Sequence, residues 1–332
     1  MKAGVAIVLL CLLVVVGGCH APQQMQFGLY AVPQKDLPRA QEIGVDFVVG
    51  SKSKNYLQAA KQANLKVIGS GNEFPNDSTL MGNYLTDEPD LQEIHPDRIA
   101  QEFRTAKRRS DKPVFLNLSS GFSVASYVDY CDVVMFDWYP VGWQPLATFY
   151  SNLTAARLAA GKKPFYSIVQ AFDWSKYPKL VPPSSNYRVP TPLELKAMTA
   201  WSAMSGVAGV VFYPYDDGHT KVQSTPELVT AIRESMEFIK ANANYFYPPR
   251  IWGPYPFKFR ELSDRYNEIS EPSIVIKYTQ APAQQGGQLL VAANTTYREI
   301  VVSASKGVLL DSDEETIVFA PLEIKLFNAI IK

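Results

Sequence analysis

The chain has 332 residues, with 32 Lys and Arg balanced by 32 Asp and Glu, so a nucleic-acid backbone has no positive field to meet and nucleic acid is excluded as a partner. Hydrophobic residues make up 47% of it and aromatic ones 12%, which excludes a disordered protein, and the length fits one large barrel with or without a small companion domain. The 18 Tyr and 5 Trp serve cores in the first place, but flat amphipathic rings also suit the faces of sugars.

The chain opens MKAGVAIVLLCLLVVVGGCHAP, with one charge at Lys2 and an apolar run over 3–16 that is too short to span a bilayer well. The run ends in Val16-Gly17-Gly18-Cys19, an arrangement that resembles the lipobox of bacterial lipoproteins. The resemblance implies cleavage before Cys19, a lipid on Cys19, and attachment to a membrane of the bacterial cell envelope. His20 stands where such proteins often carry an Asp for inner-membrane retention, so the outer membrane or cell surface is expected. An ordinary signal peptide cut at a small residue is the alternative. Residues 1–18 are thus read as signal peptide and 19–26 as tether. Cys131 is then the one remaining thiol, which leaves no internal disulfide and no cysteine metal site. The three histidines, 20, 95 and 219, are scattered, so no metal centre is expected.

From residue 27 two patterns alternate. Apolar, strand-like runs cover 27–32, 45–51, 65–71, 82–89, 112–120, 131–140, 163–172 and 208–217. Segments with helical spacing cover 36–44, 55–64, 95–110, 145–161, 191–206 and 224–242, the last two opening on Thr-Pro with a Glu in the first turn. The strand runs are continuous rather than alternating, as for parallel strands buried on both faces. Eight of them interleaved with helices predict a (β/α)8 barrel, the TIM barrel, over 27–244. A doubly wound sheet is the alternative, but no phosphate-binding glycine loop follows the first strand. After 250 the helical spacing stops. Short strand patterns at 272–280, 287–295, 299–305, 315–321 and 323–330 predict a small all-β sandwich, so 245–332 is read as a Pro- and aromatic-rich linker plus that domain.

In a barrel of this kind function sits at the C-terminal strand ends. Taken in order, those ends offer Tyr30; Ser51 and Lys52; Asn72 and Glu73; Asp87 and Glu88; Asn117 and Ser119; Asp137 and Tyr139; Gln170; and Tyr213, Asp216 and Asp217, with Trp143 and Trp174 in the loops after strands six and seven. The ring is acidic, amide-bearing and aromatic. Glycoside hydrolysis needs a carboxyl that keeps a proton for the leaving oxygen, a second group at the anomeric centre, and aromatic faces to hold the sugar. The adjacent carboxyls Asp87 and Glu88 suit the first requirement, since repulsion raises the pKa of one of them. Each residue also has a plainer role open to it. Asp87 and Asp216 can cap turns, Gln170 can belong to a buried network, and Tyr139 can prop the loop before Pro140.

YLTDEP on the fourth strand, FDWYP on the sixth, VQAF on the seventh and FYPYDD on the eighth together resemble a bacterial glycoside-hydrolase-like (β/α)8 barrel over about 27–240. The resemblance implies that Glu88, closing the fourth strand, is the general acid. The sequence departs from the usual pair twice: Asp87 stands in place of an Asn, and Gln170 stands where the seventh strand would present a nucleophilic Glu. An Asp-Glu pair on the fourth strand resembles the hexosaminidases that use substrate assistance. By that likeness Asp87 orients a 2-acetamido group, Glu88 is the acid and base, and Tyr139 or Tyr213 holds the acetamido oxygen. A hydrolase pairing Glu88 with Asp137, a non-catalytic glycan-binding lipoprotein and a structural lipoprotein stay open beside it. None of these requires a cofactor. Tyr30, Asn117, Tyr139, Trp143, Gln170, Trp174, Tyr213 and Asp216 are the expected sugar-binding residues.

Overall fold

The computed structural model describes residues 24–246, 259–261, 274–280, 288–304, 308–310 and 316–331. The expected signal peptide and Cys19 lie outside those residues.

Eight parallel strands close into a barrel in chain order: β1 (Gln26–Tyr30), β2 (Phe47–Ser51), β3 (Lys66–Ser70), β4 (Leu80–Tyr84), β5 (Val114–Leu118), β6 (Val133–Asp137), β7 (Phe165–Gln170) and β8 (Gly209–Tyr213), which pairs back onto β1. Outside the strands lie α1 (Leu37–Ile43), α2 (Lys54–Gln62), α3 (Pro96–Arg109), the single turn α4 (Val124–Tyr127), α5 (Ala147–Ala159), α6 (Pro192–Met204), α7 (Pro226–Ala241) and the short α8 (Ala243–Phe246). The expected (β/α)8 barrel is the observed architecture. No helix joins β3 to β4, which leaves the outer wall of the barrel open at that point.

Side-chain parity explains why nearly every strand is apolar throughout. Phe47, Val49, Ile68, Tyr84, Phe115, Met135, Tyr166, Ile168 and Val211 fill the interior. Their strand neighbours, such as Val48, Val67, Leu116, Val134 and Phe212, pack outward under the helices. Rings as large as Phe47, Phe115 and Tyr166 fit the interior because glycines face them. A Cβ on Gly28, Gly82 or Gly209 would lie 2.4, 2.3 or 2.4 Å from those rings.

The two Thr-Pro openings differ, because the Glu stands at the third helical position in α6 (Glu194) and at the second in α7 (Glu227). Thr191 forms a full capping box with Glu194 at the start of α6, whereas the Thr225 side chain caps nothing in α7. Beyond the barrel, β9 (Phe259–Glu261), β10 (Ile274–Gln280), β11 (Gln288–Asn294), β12 (Ile300–Ala304), β13 (Val308–Leu310), β14 (Ile317–Phe319) and β15 (Ile324–Ile331) form two antiparallel sheets, β10-β11-β15-β13 and β14-β12-β9. β9 begins at the last residue of the Pro- and aromatic-rich stretch 245–259 read as linker, and β13 carries too short a pattern to be legible.

Val291, Ala293 and Leu322 join the apolar core that surrounds the barrel. At that seam Glu194 is buried and holds Arg188 through two 2.6 Å contacts, accepts from the Thr191 N–H at 2.7 Å, and accepts from the Tyr297 hydroxyl. Burial alone would raise the Glu194 carboxyl, but these partners more than offset it and hold it down at about 2.

Candidate active site

Strand parity delivers the site. Tyr30, Tyr84, Asp137, Gln170 and Tyr213 are the last residues of β1, β4, β6, β7 and β8, and Asn117 is the penultimate residue of β5. All occupy the inward register. Asp87 and Glu88 do not end a strand as expected. β4 stops at Tyr84, and both carboxyls sit in the loop beyond it.

That loop is held at several points. Thr86 donates to Glu102 on α3 through its hydroxyl at 2.8 Å, Gln92 Nε2 donates to the Asp87 carbonyl at 2.5 Å, and the Gln92 N–H donates to the Glu88 carbonyl at 3.1 Å. Asp90 accepts from the Ser119 and Ser120 N–H groups, at 3.2 and 2.9 Å, and so ties the loop to the end of β5. Within these anchors Glu88 has φ +40°, a left-handed conformation that is uncommon for a side-chain-bearing residue and tends to cluster at working sites.

The carboxyls lie in three different settings. Asp87 accepts from the Tyr84 hydroxyl and from Asn117 Nδ2 at 3.1 Å on one oxygen, and from the Tyr30 hydroxyl at 3.2 Å on the other. The Tyr30 and Tyr84 hydroxyls lie 3.0 Å apart, and burial raises both well above the ordinary tyrosine range, so they remain donors. Asn117 spends its second Nδ2 proton on Asp137 Oδ2 at 3.1 Å, bridging the two aspartates.

Asp137 is buried at the floor, and burial first, then repulsion from Glu88 and Asp87, raises its carboxyl well above the usual range. Glu88 and Tyr139 lie close enough to Asp137 for hydrogen bonding to bias its titration, a protonated Asp137 favouring the Glu88 carboxylate. Asp137 Oδ1 is buried without a partner. Glu88 is pushed up to about 7. Burial is the main cause and repulsion from Asp87 and Asp90 adds to it, against a downward pull from Asp137. A carboxyl in that range can both give and take a proton near neutrality.

These groups open into a cavity of about 130 Å3. Its walls are Tyr30, Tyr139, Tyr213, Phe172, Trp174 and Tyr177, with Leu91 and Leu180 at the edge. Tyr139 and Tyr213 stack at 5.6 Å, and Trp174 Nε1 donates to the Tyr139 carbonyl at 3.0 Å, which fixes the indole at the wall. Trp143 is 46% exposed beside Trp174, with ring centroids 6.0 Å apart, on the rim rather than in the cavity wall.

Two expected sugar contacts must be corrected. Gln170 is fully buried. Its Oε1 accepts from the Val141 N–H at 2.8 Å, and its Nε2 donates to the Val141 and Phe172 carbonyls at 3.2 and 3.1 Å. Both its donors are used and none is left for a sugar, so Gln170 secures the loop after β6. Asp216 accepts from the Gly218 N–H at 3.1 Å and lies 3.6 Å from Lys221 Nζ, closing the turn after β8 away from the cavity. The neighbouring Asp217 is the one that reaches toward the site, accepting from Tyr177 at 2.6 Å and from Tyr213 at 3.3 Å. Lys52 also leaves the ring, because it lies on the outer face of the barrel.

Tyr84, Phe172 and Tyr177 escaped the sequence reading. Tyr84 could have been found by inward parity on β4. Tyr177 could not, because it arrives from a long loop with no periodicity. Among the described residues no group of three His, Cys, Asp or Glu side chains could hold a metal ion.

No family model matches the chain, and no curated protein matches it in sequence. Solved structures do match in their chain trace. One is a glucosidase from Croceicoccus marinus, 10% identical, covering 92% of this chain and 82% of that one at a TM-score of 0.47. Another is a GH113 beta-1,4-mannanase, 13% identical, covering 65% and 98% at 0.44. A third is the GH99 endo-alpha-mannosidase from Bacteroides thetaiotaomicron, 13% identical, covering 63% and 84% at 0.46.

Proposed function

We propose that the protein is a glycoside hydrolase in which Glu88 is the general acid and base and the substrate's own 2-acetamido group is the nucleophile, oriented by Asp87. The supporting observation is the pair itself. Asp87 is fixed by three donors beside a Glu88 that holds its proton up to about pH 7, over an aromatic-walled cavity.

In the first step Glu88 gives its proton to the glycosidic oxygen as the bond to the anomeric carbon breaks. The acetamido carbonyl oxygen bonds to that carbon while its N–H donates to Asp87. In the second step the Glu88 carboxylate takes a proton from water, whose oxygen opens the cyclic intermediate. Tyr139 and Tyr213 flank the cavity where the acetamido oxygen would be held. The absence of a Glu on β7 is then no obstacle. Burial raises the Asp137 carboxyl well above the usual range and Asn117 already occupies its Oδ2, which favours substrate assistance over a Glu88–Asp137 pair. The cavity is small beside the roughly 300–1,000 Å3 of drug-sized ligand sites, which favours recognition of a single terminal ring.

The test is turnover of aryl glycosides with and without a 2-acetamido group by the wild type, Glu88→Gln and Asp87→Asn. Hydrolysis confined to 2-acetamido substrates and abolished in both variants supports the proposal. Hydrolysis of substrates lacking that group points to Asp137 as the partner. Glycan binding without turnover supports a surface binding protein.

The proposal extends to location, with a lipid on Cys19 anchoring the protein in the bacterial envelope. Labelling with a radioactive fatty acid, lost in Cys19→Ser, tests that part.

A further inference from the structure

A second cavity, of about 610 Å3, lies outside the barrel wall where no helix joins β3 to β4. Its size falls within the roughly 300–1,000 Å3 of small-molecule sites. The gap is covered by Lys52, which crosses from the end of β2. The Lys52 Cβ sits only 2.6 Å from where a Cβ on Gly69 would lie, so a side chain there would displace it.

Lys52 is one of the residues lining this cavity, and it is only 2% exposed. Its neighbours are Asn83 Oδ1 at 3.2 Å and the face of Phe74, 4.1 Å from the ring centroid. No carboxylate among the described residues forms an ion pair with it within 4.0 Å. A cation taken out of water usually finds an anion. Arg109 lies over the same Phe74 ring at 4.9 Å, and Arg98 completes the basic side. Against these three cations the lining holds one carboxylate, Glu102, already occupied by Thr86 and 3.8 Å from Arg98. Glu73, outside the lining, offsets part of the field. Burial, with Arg109 adding to it, draws Lys52 down to about 8, so most of it is charged at pH 7.

We infer that this cleft is a binding site for a small molecule bearing an oxyanion, a phosphate or a carboxylate, with Lys52 and Arg109 as the groups that take its charge and Asn83 and Phe74 as the surfaces that position Lys52. The site is separate from the one containing Glu88, and the two share no lining residue.

The experiment titrates the full protein with inorganic phosphate, with acetate, and with chloride at matched ionic strength. It reads the rate at which an amine-acylating reagent modifies Lys52, by peptide mass spectrometry, together with the thermal midpoint. Saturable protection of Lys52 and a rise in midpoint are expected with phosphate or acetate and not with chloride, and the anion that protects names the source. Arg109→Gln, at an exposed position, should weaken protection about 5- to 10-fold through loss of a charge-assisted contact, and Lys52→Met should abolish the rise in midpoint. If neither anion protects beyond chloride, or if Arg109→Gln leaves protection unchanged, the inference fails and Lys52 is a wall residue only.

Discussion

Glu88→Gln gives a prediction about stability that needs no substrate. A glutamate in an unfolded chain titrates at about 4.5, and here the folded carboxyl is pushed up to about 7. Between those values the folded state binds more proton than the unfolded one, so the wild type loses stability as pH rises through the window. Each tenfold change in proton affinity corresponds to about 1.4 kcal/mol, so the cost of ionising Glu88 in place is small at pH 4.5 and grows to about 3 kcal/mol at pH 7 and above. Gln has the shape of the protonated acid and no charge to desolvate. The variant should therefore match the wild type at pH 4 and exceed its stability by about 3 kcal/mol at pH 8. The assay is urea unfolding of both proteins at half-unit pH steps, followed by tryptophan fluorescence, with the difference in midpoint multiplied by the slope. An advantage that is absent at pH 8, or that does not vary with pH, would refute the claim that burial holds this carboxyl against ionisation. With that claim would go the argument for Glu88 as an acid poised near neutrality.

Three further outcomes follow from the same geometry. Asn117→Leu removes both N–H groups that bridge Asp87 and Asp137, and should cost about 2–4 kcal/mol in chemical unfolding at pH 7 together with the loss of any hydrolysis. Gln170→Glu should not create a nucleophile. It aims a buried carboxylate at the Val141 and Phe172 carbonyls and should destabilise by about 3–5 kcal/mol at neutral pH, less in acid as the group protonates, with no gain of activity on substrates lacking a 2-acetamido group. Glu194→Gln should cost about 3 kcal/mol at pH 7. Because the Glu194 carboxyl is held down at about 2, that contribution is complete above pH 4.5 and disappears as pH falls toward 2, so wild type and variant should converge in acid unfolding.

The barrel was legible because its information is local and repeated. A strand buried on both faces must be apolar at each position, and most of these runs alternate with a helix whose spacing or cap marks it; the β3–β4 and β5–β6 connections carry no such signal. Wherever a strand keeps its parity to the last residue, the site was legible as well. Tyr30, Asn117, Asp137 and Tyr213 point inward because every second residue behind them does. Parity also placed Gln170 correctly, but parity says where a side chain points and nothing about who claims it. The claimant is the Val141 peptide, which comes in from the next loop.

Asp87 and Glu88 mark the other limit. Past Tyr84 there is no alternation to count, and three long-range attachments set the direction of each side chain: Thr86 to Glu102, Asp90 to the amides after β5, and Asn117 to Asp87. The dipeptide could be recognised as unusual from its charge, since two carboxyls side by side cost energy unless something uses them. Its geometry depends on attachments that span 16 to 30 positions of chain. Glu88 combines a left-handed backbone with a carboxyl that resists ionisation, and both oppose folding. They are sustained because the anchors on either side over-determine the loop. Loosening one of them, for example through Thr86→Val, would therefore relax Glu88 toward solvent and return its titration toward that of an ordinary glutamate. A carboxyl 13C titration of the variant that still gave a value near 7 would mean that the pocket alone, and not the held loop, keeps the proton on.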